Sequence, residues 1–498
     1  MSALRSSRLQ SLACWAALVV SSIGCATPSE ISTAAPAADG SSGGAADHPG
    51  PGSKDPGTAG EPGLTVVAVT DDGAVAFTRG TVDTQSLEVF DPISGTSTVL
   101  VARFAPADQV VVAGKVVAFW AAVDHDGIGE LGLWTRDRGR NPFGPRSLAG
   151  VFAASLDGAR VAYASNASPG RKCDLSVGSP SLEAPPATAI RGAVAGSGDC
   201  EMRLGFVQQR LFVASCSEGA SAPAIRTVSD TNGVVTILAS AKRDWATDAA
   251  GTKVFVISSE GAGSVHTVPQ NRATLIDQDV AWAQLGDNDS VVYRTNAGAL
   301  KKASTRSPVN AQTLVSEGIR GVAAVSPDLS YALVSASLPD ATNHNLVRHD
   351  VQLNPISPGL PFIPTPTKPT LLVATPTGLA LGFTADGERA VYLSDLPALG
   401  LPVGTLKAHA LEATEEVVLA REAFMPKLLV SSSASRIVFA DHPRLDGDKL
   451  VAVDVQSVDA QSGRVSLVMK GVDPAFGVTS SLLVYTVAGR GIFTTNLP

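Results

Sequence analysis

Ala385-Asp386-Gly387-Glu388-Arg389-Ala390-Val391-Tyr392-Leu393-Ser394 reads as a tight turn followed by a short, almost wholly apolar strand. Asp-Gly supplies the positive φ angles that a hairpin turn of matching twist requires. The run behind it lacks polar alternation, as a strand covered on both faces should. The pattern recurs in Asp71-Asp72-Gly73-Ala74-Val75-Ala76-Phe77-Thr78, in Leu156-Asp157-Gly158-Ala159-Arg160-Val161-Ala162-Tyr163-Ala164-Ser165 and in Pro327-Asp328-Leu329-Ser330-Tyr331-Ala332-Leu333-Val334-Ser335. Weaker copies occupy 114–120, 209–215, 251–258, 288–295, 434–440 and 480–487, giving about ten units. They lie roughly 37 to 58 residues apart, near the period of four-stranded propeller blades.

Working outward, the first copy is followed by a second strand, Ser86-Leu87-Glu88-Val89-Phe90-Asp91, the turn Pro92-Ile93-Ser94-Gly95, and a third strand, Thr96-Ser97-Thr98-Val99-Leu100-Val101. Lys449–Asp454 and the stretch 463–468 repeat that arrangement near the other end. A turn, three strands and a short return make one unit. With 47 glycines, 32 prolines and only 17% charged residues, the composition suits many short strands better than helices. A chain of 498 residues can bury a sizeable core without metals.

The units resemble the TolB-like, WD-repeat-like propeller repeats of bacterial exported proteins, whose core is a Ser-Pro-Asp-Gly turn leading into an apolar strand. Asp157-Gly158, Pro327-Asp328 and Asp386-Gly387 match best, and the likeness covers most of residues 64–498. It implies an all-β, β-propeller fold and is nearly silent about function. About ten units exceed the usual upper limit of eight blades. Outer hairpins counted as blades, two smaller rings or one large ring all remain open. The final unit has three strands, at 476–479, 482–487 and 491–495, and a strand near 64–70 is expected to complete it.

The first 24 residues hold Arg5, Arg8 and the apolar run Leu12-Ala13-Cys14-Trp15-Ala16-Ala17-Leu18-Val19-Val20. About nine apolar residues cover only half of a ~30 Å hydrocarbon layer, so the segment reads as a signal peptide. Ser22-Ile23-Gly24-Cys25 resembles the lipobox of bacterial lipoproteins, which implies lipid attachment at Cys25. Ser22 departs from the usual Leu, and Ala26 lacks the aspartate associated with inner-membrane retention, so the expectation is an outer-membrane lipoprotein with its body in the periplasm or at the cell surface. Several acyl chains, at about 0.8 kcal/mol per buried methylene, anchor firmly. Residues 25–63 are an Ala/Gly/Ser/Pro-rich tether too poor in large apolar groups to offset ordering entropy. Loss of the signal moves the formal charge from −8 to −10, which leaves no basic footprint for nucleic acid.

Candidate chemistry is sparse. Gly-x-Ser-x-Gly occurs only at Gly40-Ser41-Ser42-Gly43-Gly44, inside the tether, where no strand and helix can build a nucleophile elbow. The seven histidines are scattered without metal-site spacing and read as surface or loop residues. Asp124, Asp126 and Glu130 form the best calcium candidate, although the glycine follows the second acid and too few carboxylates follow. Asp446-Gly447-Asp448 and Asn343-His344-Asn345 occupy similar places, which favours a plain turn. Cys200 and Cys216 are expected to face each other across a hairpin turning at 207–209, with Phe206 opposite Arg210, and to form a disulfide in an oxidising compartment. Three reduced, buried cysteines are the alternative, and Cys173 stays free in either case. Trp120, Trp134, Trp245 and Trp282 read as packing between blades rather than a sugar-stacking surface. The Pro-rich stretch 355–369 reads as a surface connection.

The expectation is therefore a non-catalytic, lipid-anchored propeller, needing no cofactor, that binds another envelope protein or a ligand. The alternative is a carbohydrate-active lyase or hydrolase using the propeller mouth, which requires paired carboxylates about 5–10 Å apart.

Overall fold

The computed structural model describes residues 63–497 except 82–83, 181–185, 197–199, 221–222, 230–234, 241–244, 269, 271, 287–288, 307, 309–310, 327–328, 330, 339–340, 351–369, 374–378, 398–400, 412–415, 431–434, 448, 475, 480–481 and 488–490. The readings on the signal peptide, Cys25, the tether up to residue 62 and the 355–369 stretch lie outside the described residues.

Among the described residues the regular elements are strands, paired antiparallel throughout. Blade 1 consists of Thr65–Val69, Val75–Arg79, Ser86–Asp91 and Thr96–Val101, each hydrogen-bonded to the next. Blades 2 to 7 repeat this meander at 109–148, 152–194, 203–240, 245–277, 282–315 and 319–373. Blades 8 and 9 share the strand Glu416–Val430, whose first half pairs with Gly404–Ala410 and whose second half pairs with Ser435–Asp446. Blade 10 has three strands, Gly477–Val478, Leu482–Val487 and Gly491–Asn496. Every turn-and-strand copy in the sequence, strong or weak, supplies the second strand of a blade.

The blades form one closed ring. First strands of successive blades pack side by side from blade 1 to blade 4, from 5 to 6 and from 7 to 9. Val207 and Trp245 join blades 4 and 5 through a shared apolar cluster, and Trp282 and Ile319 join blades 6 and 7. Lys427 donates to the Val478 carbonyl at 3.2 Å between blades 9 and 10. The first strand of blade 1 then packs against blade 10. Ten blades, drawn from eight sheets because blades 3–4 and 8–9 are each continuous, exceed the usual four to eight.

The second strands explain why the units must stack. Phe77, Trp120, Tyr163, Phe212, Phe255, Tyr293, Tyr392, Phe439 and Tyr485 place a buried aromatic in nine second strands, each at most 5% exposed, and blade 2 adds Phe119. Blade 7 uses Leu333 instead. An aromatic side chain buries about 150–250 Å², which no single sheet can cover alone. Each is covered by the neighbouring blade, as in the cluster of Phe255, Ile257, Leu285, Val291 and Tyr293 across blades 5 and 6.

The turns between first and second strands share a device that precedes the Asp-Gly pair. Thr70, Ser155 and Thr384 are fully buried, and each hydroxyl donates to the turn aspartate, Asp72, Asp157 or Asp386, at 2.5–2.6 Å. Each hydroxyl also accepts an amide, from Ala74, Arg160 or Arg389, at 2.8–3.0 Å. Gly73, Gly158 and Gly387 take φ values of +88°, +72° and +71°, where a side chain is strained. These turns interlock around one face of the ring. The Asp71 amide donates to Gly114 of blade 2, Gln209 of blade 4 donates to Asp157 of blade 3, and the Ala385 amide of blade 8 donates to the Ser435 hydroxyl of blade 9.

Three expectations are corrected. The strand Thr65–Val69 does not complete blade 10: it pairs with Val75–Thr78 as the first strand of blade 1, because its register is fixed by the short turn that joins them. Asn343-His344-Asn345 is not a turn; it lies inside the strand Ala341–Asp350. His266 and His409 are buried in strands, 5% and 7% exposed, rather than on the surface or in loops, and the His266 ring shares a hydrogen bond with the Ser264 hydroxyl at 3.0 Å.

Candidate functional site at the ring mouth

The face opposite the interlocked turns is where the first strands begin. There, Phe152, Arg203 and Trp245 open the first strands of blades 3, 4 and 5. With Gly150, Val151, Met202 and Leu204 they line a cavity of about 550 Å³, within the range of ligand pockets. Three blades converge because their first strands crowd the axis, and the residues just ahead of those strands reach inward. Phe152 is held edge-on to Trp120, with ring centroids 6.3 Å apart, so the packed interior of blade 2 supports one wall. Trp245 is half-buried, packed on the blade 4–5 cluster, and still faces the cavity. Trp120 and Trp134 are buried packing residues, and Trp282 packs on the blade 6–7 cluster, as read from the sequence. Trp245 combines packing with a cavity lining. Arg203 is the one charged side chain among the described lining residues. An aromatic and apolar wall with a cation suits an apolar or acidic group.

The cysteine pair stands beside this cavity. Cys200 and Cys216 are joined, with Cα atoms 5.3 Å apart. The expected register was one residue out: Val207, not Phe206, faces Arg210, and the turn has two residues, with Gln208 at φ +55°. Cys216 also pairs with Val194 of blade 3, so the bridge fastens the connection 195–202 where blades 3 and 4 fuse into one continuous sheet. Cys173 is free, buried in the core shared by those two blades. Burial, with Asp174 adding to it, pushes its thiol up to about 11, which makes it a poor nucleophile.

The calcium candidates are not drawn together. Asp124 Oδ1 accepts the amides of Asp126 and Ile128, both at 2.9 Å. The Ile128 amide, ahead of the Asp126 amide, holds the Asp124 carboxyl below its ordinary range. Asp126 approaches exposed His125 at 3.6 Å, and Glu130 lies exposed on the following strand. The carboxylate at 124 is taken up by its own turn.

Two acid–tyrosine–lysine sets, each built on a buried tyrosine, were not legible beforehand. Tyr293 and Lys301 both donate to Asp277 Oδ2, at 3.0 and 2.9 Å. Tyr392 donates to Glu416, which also pairs with Lys407 at 2.9 Å. Burial first, and the nearby carboxylate second, raises both phenols well above the usual range. They act as polar struts between strands.

No family model and no curated protein matches the chain. Among solved structures it is similar to the tricorn protease, at 12% identity and a TM-score of 0.28, over 85% of this chain and 46% of that one. It is also similar to a prolyl endopeptidase, at 10% identity and 0.38, over 85% and 54%. TolB from Acinetobacter baumannii gives 13% identity and 0.27, over 78% and 79%. The chain thus spans about half the length of the first two. The propeller is established by the radial sheets themselves.

Proposed function

We propose that the protein is a lipid-anchored, non-catalytic propeller that binds another envelope protein on the face carrying the blade 3–5 cavity. The observation that carries this reading is the grouping of Phe152, Met202, Leu204, Trp245 and Arg203 at the start of three adjacent first strands. Aromatic residues and arginine dominate binding hot spots, and rigid strands hold them without loop-ordering cost. The lipobox-like Ser22-Ile23-Gly24-Cys25 and the tether behind it support attachment at the outer membrane.

The test is a cross-linked pull-down from detergent-solubilised envelope with the full-length protein and its Trp245→Ala variant. A discrete partner captured by the parent and lost by at least tenfold in the variant supports the reading. Equal capture by both, or capture of a sugar polymer instead, overturns it. Separately, Cys25→Ala is expected to move the protein from the membrane to the soluble fraction.

A further inference from the structure

On the mouth face of blade 9, the hairpin Ser435–Asp446 and Lys449–Asp459 places two buried aspartates directly opposite one another, Asp441 against Asp454. They are 6% and 8% exposed. Like charges facing across a strand pair are unfavourable, and buried charges need compensation. Asp454 has some: Oδ1 accepts the Gly471 amide at 2.8 Å and Arg444 at 3.1 Å. Arg444 is 56% exposed, so that pair is worth little. Asp441 has less. Its Oδ2 meets His442 Nδ1 at 3.0 Å and accepts Gln456, whereas its Oδ1 is buried with no hydrogen-bond partner. An orphaned carboxylate oxygen in a buried acid pair is a costly arrangement unless something else occupies its lone pairs.

The backbone aims a third ligand at the same point. The register slips after Asp441, and His442 takes φ +46°, turning its ring back over the acid pair. Ligand atoms of Asp441, His442 and Asp454 all lie within 4.8 Å of one another. Ligand atoms about 2.0–2.2 Å from an ion in a tetrahedral site sit roughly 3.3–3.6 Å apart, so the set closes with a movement on the order of 1 Å, which the exposed His442 ring can supply.

We propose that Asp441, His442 and Asp454 bind a divalent transition-metal ion of the zinc type. Imidazole selects that class over calcium or magnesium, and two carboxylates supply the neutralising charge. Asp441 Oδ1 gains the partner it lacks. His442 is 66% exposed, so the ion faces solvent and keeps positions open for water or for a side chain of a bound protein. Its stabilising effect falls on blade 9, independently of the cavity on blades 3 to 5.

The test uses the full-length protein in detergent, stripped with chelator and titrated with zinc by calorimetry, with metal content read after dialysis. One equivalent bound, a rise in Tm with zinc, and at least a tenfold loss of affinity in His442→Ala are expected. His442→Ala alters an exposed side chain and should fold; Asp441→Asn then reports the buried ligand. Zinc binding unchanged in His442→Ala overturns the assignment, as does no bound equivalent in the parent. Stoichiometric calcium binding that ignores His442 overturns it too. None of these readouts depends on partner capture.

Discussion

The ring is joined in two different ways. Between blades 3 and 4 the sheet is continuous: Cys216 and Ser217 pair with Val194 and Ala193, Cys200–Cys216 crosses beside them, and Gln209 reaches Asp157 from the next turn. Between blades 10 and 1, where the two ends of the folded body meet, apolar side chains close the circle. Val484 enters the cluster of Val66, Val75, Phe77 and Phe90, and Val69 packs against Gly477 so closely that an added Cβ lies 2.2 Å from its Cγ2. Stitching is available where the chain runs through a junction, and close packing must serve where it does not. The closing junction should therefore be the softer one.

The largest test of that contrast is Phe77→Ala. Removing a fully buried aromatic ring costs about 3–5 kcal/mol. Hydrogen exchange should show protection lost first at Thr65–Val69 and Leu482–Val487 while Arg210–Ser217 keeps its own. Uniform loss across all three strands means that the ring melts as one body and the two junctions are equivalent.

Cys216→Ser comes next. Opening a bridge with a sequence separation of 16 is expected to cost about 2–4 kcal/mol, read from the denaturant midpoint. A reducing agent should lower the parent to the level of the variant and leave the variant unchanged.

Gly477→Ala crowds Val69 and should cost about 1–3 kcal/mol by strain. Combined with Val69→Ala, much of that loss should return, and a double-mutant cycle measures the coupling. Additive losses would show that the two residues do not press on each other.

The smallest effect is one of pH. Burial raises the carboxyls of Asp157 and Asp386. The hydroxyls of Ser155 and Thr384, the amides of Ala159 and Glu388, and the side chains of Gln209 and Gln461 outweigh it and hold both below their ordinary range. A depressed folded-state pKa gives stability that is present above the unfolded value, about 3.9, and lost as pH falls through the folded one. Both groups are exposed and screened, so each should contribute less than about 1 kcal/mol. Below about pH 4 the Asp157→Asn variant and the parent should converge in Tm. A gap that persists in acid would assign the effect to shape rather than charge.

Much of the architecture was readable because one local device repeats. A short turn running into an apolar strand marks the second strand of each blade, including the weak copies at 114–120 and 480–487, and in blades 1, 3 and 8 a buried hydroxyl and an Asp-Gly pair sharpen the signal. Register was less readable. The turn at Gln208 and Gln209 has no glycine or asparagine to announce its positive φ, so the cysteine hairpin was miscounted by one residue. Buried His266 and His409 look like any polar residue until neighbouring blades cover them. The mouth cavity could not be foreseen, since Val151, Met202 and Trp245 belong to three blades. Asp441 and Asp454 were within reach, because counting back from the turn at Gly447 sets them opposite one another.

Glu416–Val430 serves as the rim of one sheet and the hub of the next. A single-residue deletion at exposed Arg421 or Glu422 would turn every side chain of 424–430 to the wrong side relative to 416–420. Blades 8 and 9 thus inherit a common reading frame, and neither can be lengthened, exchanged or lost without the other.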